Sequence, residues 1–126
     1  MATRASVIRA ERKEARLVAA YVDHLEGDVV SGYRIPVRDG GSIFCDIYNQ
    51  TRRQLIEAKV ASSRNAIRMA IGQLADYGRF LPGAEKAILL EASPSRDLLD
   101  LLAQEGITAI WRVGDGFEDT SGGRFV

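Results

Sequence analysis

Asp46, Glu57 and Lys59 are three charges in a stretch otherwise patterned as a buried β-hairpin, IFCDIYNQTRRQLIEAKV, residues 43–60. With a turn centred between Thr51 and Arg52, residues whose numbers sum to 103 lie opposite each other, so Asp46 faces Glu57 across the two strands. Opposed Cβ atoms are roughly 5 Å apart, and like charges at that distance repel. Such a pair needs a cation between its carboxylates, or one of them must take a proton. A hard divalent ion such as Mg²⁺ suits it, because Mg²⁺ is held by one or two carboxylates and keeps several waters for phosphate oxygens. A metal so placed polarises a phosphoryl group and generates a hydroxide nucleophile. Lys59, two residues beyond Glu57 on the same face, can orient the water or steady charge developing on phosphorus. The plain alternative is a solvated strand face of alternating charges. Phe44, Tyr48 and Leu55 share that face, and they suit the floor of a cleft better.

Other residues can serve such a centre. Gln73 and Tyr77 are four apart and stack on one side of a helix. An amide within an apolar stripe needs a partner when buried. Gln73 can therefore touch the lysine, a water or a phosphate, or be a satisfied core glutamine. Glu14 is in line with the apolar stripe of the first helix and can reach the metal; Glu11 is the competing choice. Arg64 and Arg68, one turn apart at a helix start preceded by Ser62 and Ser63, suit a phosphate. Arg52, Arg53, Arg34 and Arg38 can extend that contact. Each arginine alone is an ordinary solvated charge. His24, the sole histidine, is assigned no chemistry, and Trp111 is expected in the core.

Positioning these side chains requires the following elements. Residues 6–26 read as an amphipathic helix with Leu17, Val18, Tyr21, Val22 and Leu25 on one stripe. YRIPV, 33–37, is a short strand whose Pro36 suits an edge. Asp39-Gly40-Gly41 is a turn. SIFCDIYN and QLIEAKV are the hairpin strands. Strict alternation puts Ile43, Cys45 and Ile47 on one side and Phe44, Asp46 and Tyr48 on the other. The second strand divides into Ile56, Ala58 and Val60 against Leu55, Glu57 and Lys59, leaving one wholly apolar face. Residues 64–80 form a helix, KAILLEA a buried strand, 95–105 a helix capped by Ser95, and ITAIWRV a last strand. The order α-β-β-β-α-β-α-β implies an α/β fold with a mixed sheet and helices on both faces.

The whole chain sets the bounds. Its 126 residues suit one domain, 1–126, with residues 1–5 and 115–126 expected as flexible ends. Net charge is zero, so any polyanion must be held by a local basic patch. The single cysteine, Cys45, excludes an internal disulfide and reads as a buried thiol. No stretch is apolar enough for a membrane span, and the first residues lack the apolar middle of a secretory signal; a cytoplasmic location is expected.

Asp46, ten intervening residues and then Glu57-Ala58-Lys59 resemble the PD-(D/E)xK nuclease motif. Residues 10–113 match that restriction-endonuclease-like α-β-β-β-α-β core with an added helix and strand. Gln73-Leu-Ala-Asp-Tyr77 resembles the QxxxY element of one exonuclease-like branch, and Glu14 stands where many members carry an extra acid. The family's proline before the acid is absent; Cys45 stands there. The resemblance implies a Mg²⁺-dependent (or Mn²⁺-dependent) endonuclease acting on DNA, in restriction or phage defence. It assigns Asp46 and Glu57 to the metal with Glu14 in support, and Lys59 and Gln73 to catalysis. Arg64, Arg68, Ser62 and Tyr77 fall to the nucleic acid. A chain this small implies weak specificity, a homodimer, or a larger parent with a recognition domain. An RNA-cleaving toxin on the same fold and a non-catalytic binding or assembly module are the alternatives.

Overall fold

The computed structural model describes residues 3–126. Nine elements follow in order: α1 (Arg4–His24), β1 (Val30–Pro36), β2 (Ser42–Asn49), β3 (Gln54–Lys59), α2 (Arg64–Gly78), β4 (Glu85–Leu90), α3 (Arg96–Gln104), β5 (Ile107–Val113) and β6 (Gly116–Asp119). The six strands form one sheet in sequence order. The β1–β2, β2–β3 and β5–β6 pairs are antiparallel, and β3–β4 and β4–β5 are parallel. The chain is thus α/β with a mixed sheet.

The two parallel connections advance in the same direction across the sheet. Right-handed crossovers therefore place α2 and α3 on the same face. There Ile67, Ala70 and Leu74 of α2 and Leu98 and Leu102 of α3 pack on Leu55, Ile88, Leu90 and Ala109. α1 covers the other face, with Leu17, Tyr21 and Leu25 on Ile47, Ile56, Ala87, Leu89 and Ile110. β3 and β4 are buried on both sides, which is why their sequences are nearly continuous apolar runs.

Helix ends follow their capping residues. Of the two candidate serines before α2, Ser63 is the cap, accepting from Ala66 N. Ser95 caps α3, with Asp97 in its first turn. α1 starts at Arg4, with Thr3 as its cap. Of the expected loose end 1–5, residues 1 and 2 lie outside the described residues, and 3–5 belong to the capped start of α1.

Residues 115–126, read from sequence as a fraying tail, are built into the fold. β6 pairs with β5. Asp119 Oδ1 accepts from Ser121 N at 2.8 Å and Gly123 N at 2.9 Å, and its Oδ2 from Phe125 N at 2.9 Å. That folds the segment back so that Phe125 is fully buried on the α1 side. Tyr21 donates its hydroxyl to Phe125 O at 2.6 Å.

Candidate active site

The β2–β3 hairpin has the register expected from sequence: Ile47 opposes Ile56, Tyr48 opposes Leu55 and Asn49 opposes Gln54. Its turn is fixed by Asn49, which is fully buried, accepts from Arg52 N at 3.0 Å and donates to Asp28. Arg53 takes the left-handed conformation that closes the turn, φ 57°.

The alternation along β2 differs from the expectation. β2 pairs with β1 as Ser31–Tyr48 on one side of Gly32 and as Tyr33–Cys45 on the other. Two residues of β2, Asp46 and Ile47, thus oppose one residue of β1, Gly32. This β-bulge reverses the sides from that point. Cys45 packs on the α2 face with Leu55 and Ile67, whereas Ile47 packs on the α1 face with Ile56 and Ala58. Both faces of the hairpin are core, in place of one apolar and one charged face. A Cβ on Gly32 would lie 2.5 Å from Phe44 Cζ, so the exposed Phe44 ring would have to move.

The bulge also sets the position of Asp46. Paired backbone stops at Ile47 and Ile56, one residue short of Asp46 and Glu57. Beyond it, Asp46 Oδ2 accepts from Ala58 N at 3.1 Å, taking the place of a ladder carbonyl. The Asp46 carboxylate therefore lies between the strands, where it meets both faces of the sheet. Towards α1 it lines a cleft with Glu11, Glu14, Ala15, Val18 and Phe44. Towards α2 it meets Glu57, which follows Leu55 onto that face and is only 2 % exposed.

Electrostatics tie these residues together. Burial pushes the Glu57 carboxyl well above the carboxylate range, and the hydrogen bond and charge of Asp46 push it further; Lys59 pulls the other way. Counted as ionised, Glu57 Oε2 is buried with no hydrogen-bond donor. A proton shared with Asp46 relieves that, and so would a cation. Glu14 is also raised, first by burial and then by Asp46, against the pull of Lys59. Tyr77 is raised by burial and by Glu57, and lowered by its hydrogen bond from Gln73, Nε2 to hydroxyl 3.4 Å. Gln73 Oε1 is buried without a partner.

Asp46, Glu57, Lys59, Glu14, Gln73 and Tyr77, from four elements, thus act on one another around the splayed end of β2 and β3. Glu14 comes from the α1 side; Gln73 and Tyr77 come from the α2 side. The nucleic-acid candidates are more dispersed. Arg64 is paired with Asp97, and Arg68 is exposed and Ser62 half-buried. Tyr77 is 7 % exposed, so its ring is core and its hydroxyl serves Gln73. Cys45 beside the site is buried, and burial chiefly pushes its thiol up to about 11, away from the thiolate form. Trp111 is half-buried against the α2-side core, and His24 packs edge-on to Phe117.

Among the described residues, no group of three or more His, Cys, Asp or Glu side chains is gathered to hold a metal ion. What the site offers is a pair of carboxyls with one orphaned oxygen. That all-oxygen pair fits a hard, water-rich ion such as Mg²⁺ and does not fit ions that need a closed protein cage. Sequence reasoning misses the bulge at Gly32 and the Asp46–Ala58 bond; a glycine inside an edge strand is the available signal. Compared with known proteins, the chain matches no family model, no curated protein and no solved structure. No helix of the described residues is long and apolar enough to cross a membrane.

Proposed function

We propose that the chain is a divalent-metal-dependent nuclease acting on DNA, built on a PD-(D/E)xK-type core. The observation that carries this reading is the convergence of Asp46 and Glu57 at the point where β2 and β3 part. Asp46 and Glu57 would hold Mg²⁺ or Mn²⁺. A bound ion supplies charge compensation at the phosphate and a more acidic water. The chain's own residues do the rest. Glu57 would have to give up a proton to serve as a ligand, and its raised pKa shifts that release towards alkaline pH. Lys59 places a positive charge beside the reacting phosphate. Gln73, held by Tyr77, presents its unpartnered Oε1 to the lysine or the attacking water. Glu14 adds a carboxylate from the opposite side.

A non-catalytic binding or assembly module is the second reading. It is favoured by the burial of Glu57 and by the lack of a third gathered ligand among the described residues. Incubation with plasmid DNA and with transfer RNA, in Mg²⁺ or Mn²⁺, separates the possibilities. Metal-dependent loss of plasmid, abolished in Lys59→Ala with the fold retained by circular dichroism, is expected. Cleavage of transfer RNA alone would favour an RNA-cleaving toxin. No cleavage of either would leave the module.

A further inference from the structure

α1 is longer than its packing requires. Its buried residues are Leu17 and Tyr21, and from Arg4 to Arg16 only Ser6 and Glu14 are even half-buried. That segment, RASVIRAERKEAR, holds Arg4, Arg9, Arg12, Lys13 and Arg16 against Glu11 and Glu14. It carries an excess of three positive charges in a chain whose formal net charge is zero. None of the five cations forms an ion pair among the described residues, as is also true of Arg34, Arg38, Arg53, Lys59, Arg68 and Lys86, while six other arginines are paired.

The order of these charges is unusual for a merely solvated helix. Side chains three and four apart are neighbours, and helices gain from placing opposite charges there. Here every charged pair at those spacings is of like sign: Arg9 with Arg12 and Lys13, Arg16 with Arg12 and Lys13, and Glu11 with Glu14. Arg9, Arg12, Lys13 and Arg16 follow the i, i+3, i+4, i+7 pattern and form one stripe. The acids occupy the other flank, where Glu11 and Glu14 line the cleft with Phe44 and Asp46. On the cationic flank, Lys13 and Arg16 line a groove with Val60, Glu91 and Arg112. A self-repelling stripe whose four side chains are all exposed gains most from a polyanion. From Arg9 to Arg16 the stripe spans about 10 Å. Duplex DNA offers one phosphate charge per ~1.7 Å of axis over both strands, so about six lie along that length, about three of them on each strand.

We propose that the face of α1 carrying Arg9, Arg12, Lys13 and Arg16, continued by Arg112, binds the phosphate backbone of duplex DNA on the flank of α1 away from the cleft that Asp46 lines. The proposal rests on the nuclease reading for the choice of polyanion. The contact itself needs no cleavage, so the test is made in EDTA. Binding of a fluorescent 20-bp DNA duplex is measured by anisotropy across a salt series. The protein is compared with the quadruple variant Arg9→Gln, Arg12→Gln, Lys13→Gln, Arg16→Gln. Each phosphate contact contributes ~0.9 to the slope of log affinity against log salt, so the variant's slope is expected to fall by about 3.6. Its affinity at low salt is expected to fall at least tenfold. A second variant, Arg9→Lys, Arg12→Lys, Arg16→Lys, keeps the charges and is expected to keep the slope. Amides of residues 4–16 are expected to gain hydrogen-exchange protection on adding duplex. No binding by the unaltered protein, an unchanged slope in the quadruple variant, or tighter binding to phosphatidylserine vesicles than to duplex would each overturn the proposal. DNA binding through the stripe without cleavage in Mg²⁺ would sink the nuclease reading alone. Cleavage that ignores the stripe would sink this proposal alone.

Discussion

Replacing Glu57 by glutamine tests whether the carboxyl pair stores destabilisation that a cation can relieve. Glu57 is 2 % exposed and its pKa is raised above the ordinary 4.5 by burial and by Asp46. The native state therefore holds a proton that the unfolded chain releases once the pH passes 4.5. Where the folded form binds more protons, stability falls as pH rises. The slope for one proton approaches about 1.4 kcal/mol per pH unit, from above the ordinary value up to the raised folded pKa. The glutamine keeps the shape and a hydrogen bond to Asp46 but cannot ionise. The two proteins should be nearly equal near pH 5. By pH 8 the variant should be the more stable by on the order of 2 kcal/mol, less than the full slope implies because neighbouring groups relax. At this chain length that is roughly 6–8 °C in Tm. Thermal unfolding from pH 5 to 9, followed by circular dichroism, measures it. Mg²⁺ should restore the unaltered protein at high pH and leave the variant unmoved. Parallel pH profiles for the two proteins would refute the reasoning.

Other substitutions follow from particular contacts. Asp46→Ala removes the acceptor of Ala58 N and should cost about 1–3 kcal/mol in urea unfolding, whereas Asp46→Asn keeps an acceptor oxygen and should cost less. Phe125→Ala empties a fully buried site between α1 and the sheet and should cost about 3–5 kcal/mol, which a loosely attached tail would not. Burial alone would raise the Asp119 pKa, but the N–H groups of Gly123 and Phe125 and the Ser121 hydroxyl and N–H together lower it. That contribution is present above 3.8 and is lost as pH falls through the lowered value, so Asp119→Asn should flatten the acid limb of the stability profile.

The hairpin register is legible in the sequence because the turn around Thr51 and Arg52 leaves only one way to bury Ile47 on Ile56 and Tyr48 on Leu55. The helix starts at Ser63 and Ser95 are legible from capping chemistry. The bulge is not, because strict alternation holds along a strand until a glycine opposite two residues breaks it. Numbering alone puts Asp46 next to Glu57, yet its carboxylate lies between strands and not on the face that alternation assigns. β6 is hidden for another reason. GDGFEDTSGG has the composition of a loop, and its order comes from Asp119 gathering four donors and from Phe125 filling a gap under α1. Tyr77 reads from sequence either as a nucleic-acid contact or as a core ring with its hydroxyl at the rim; the structure buries the ring and gives the hydroxyl to Gln73.

Titration with Mn²⁺, followed by electron paramagnetic resonance at pH 8, tests most directly whether Asp46 and Glu57 form a divalent-ion site. One ion should bind per chain, with binding lost in both Asp46→Asn and Glu57→Gln and kept in Glu11→Gln. No saturable binding to the unaltered protein, or binding that survives both substitutions, would contradict it.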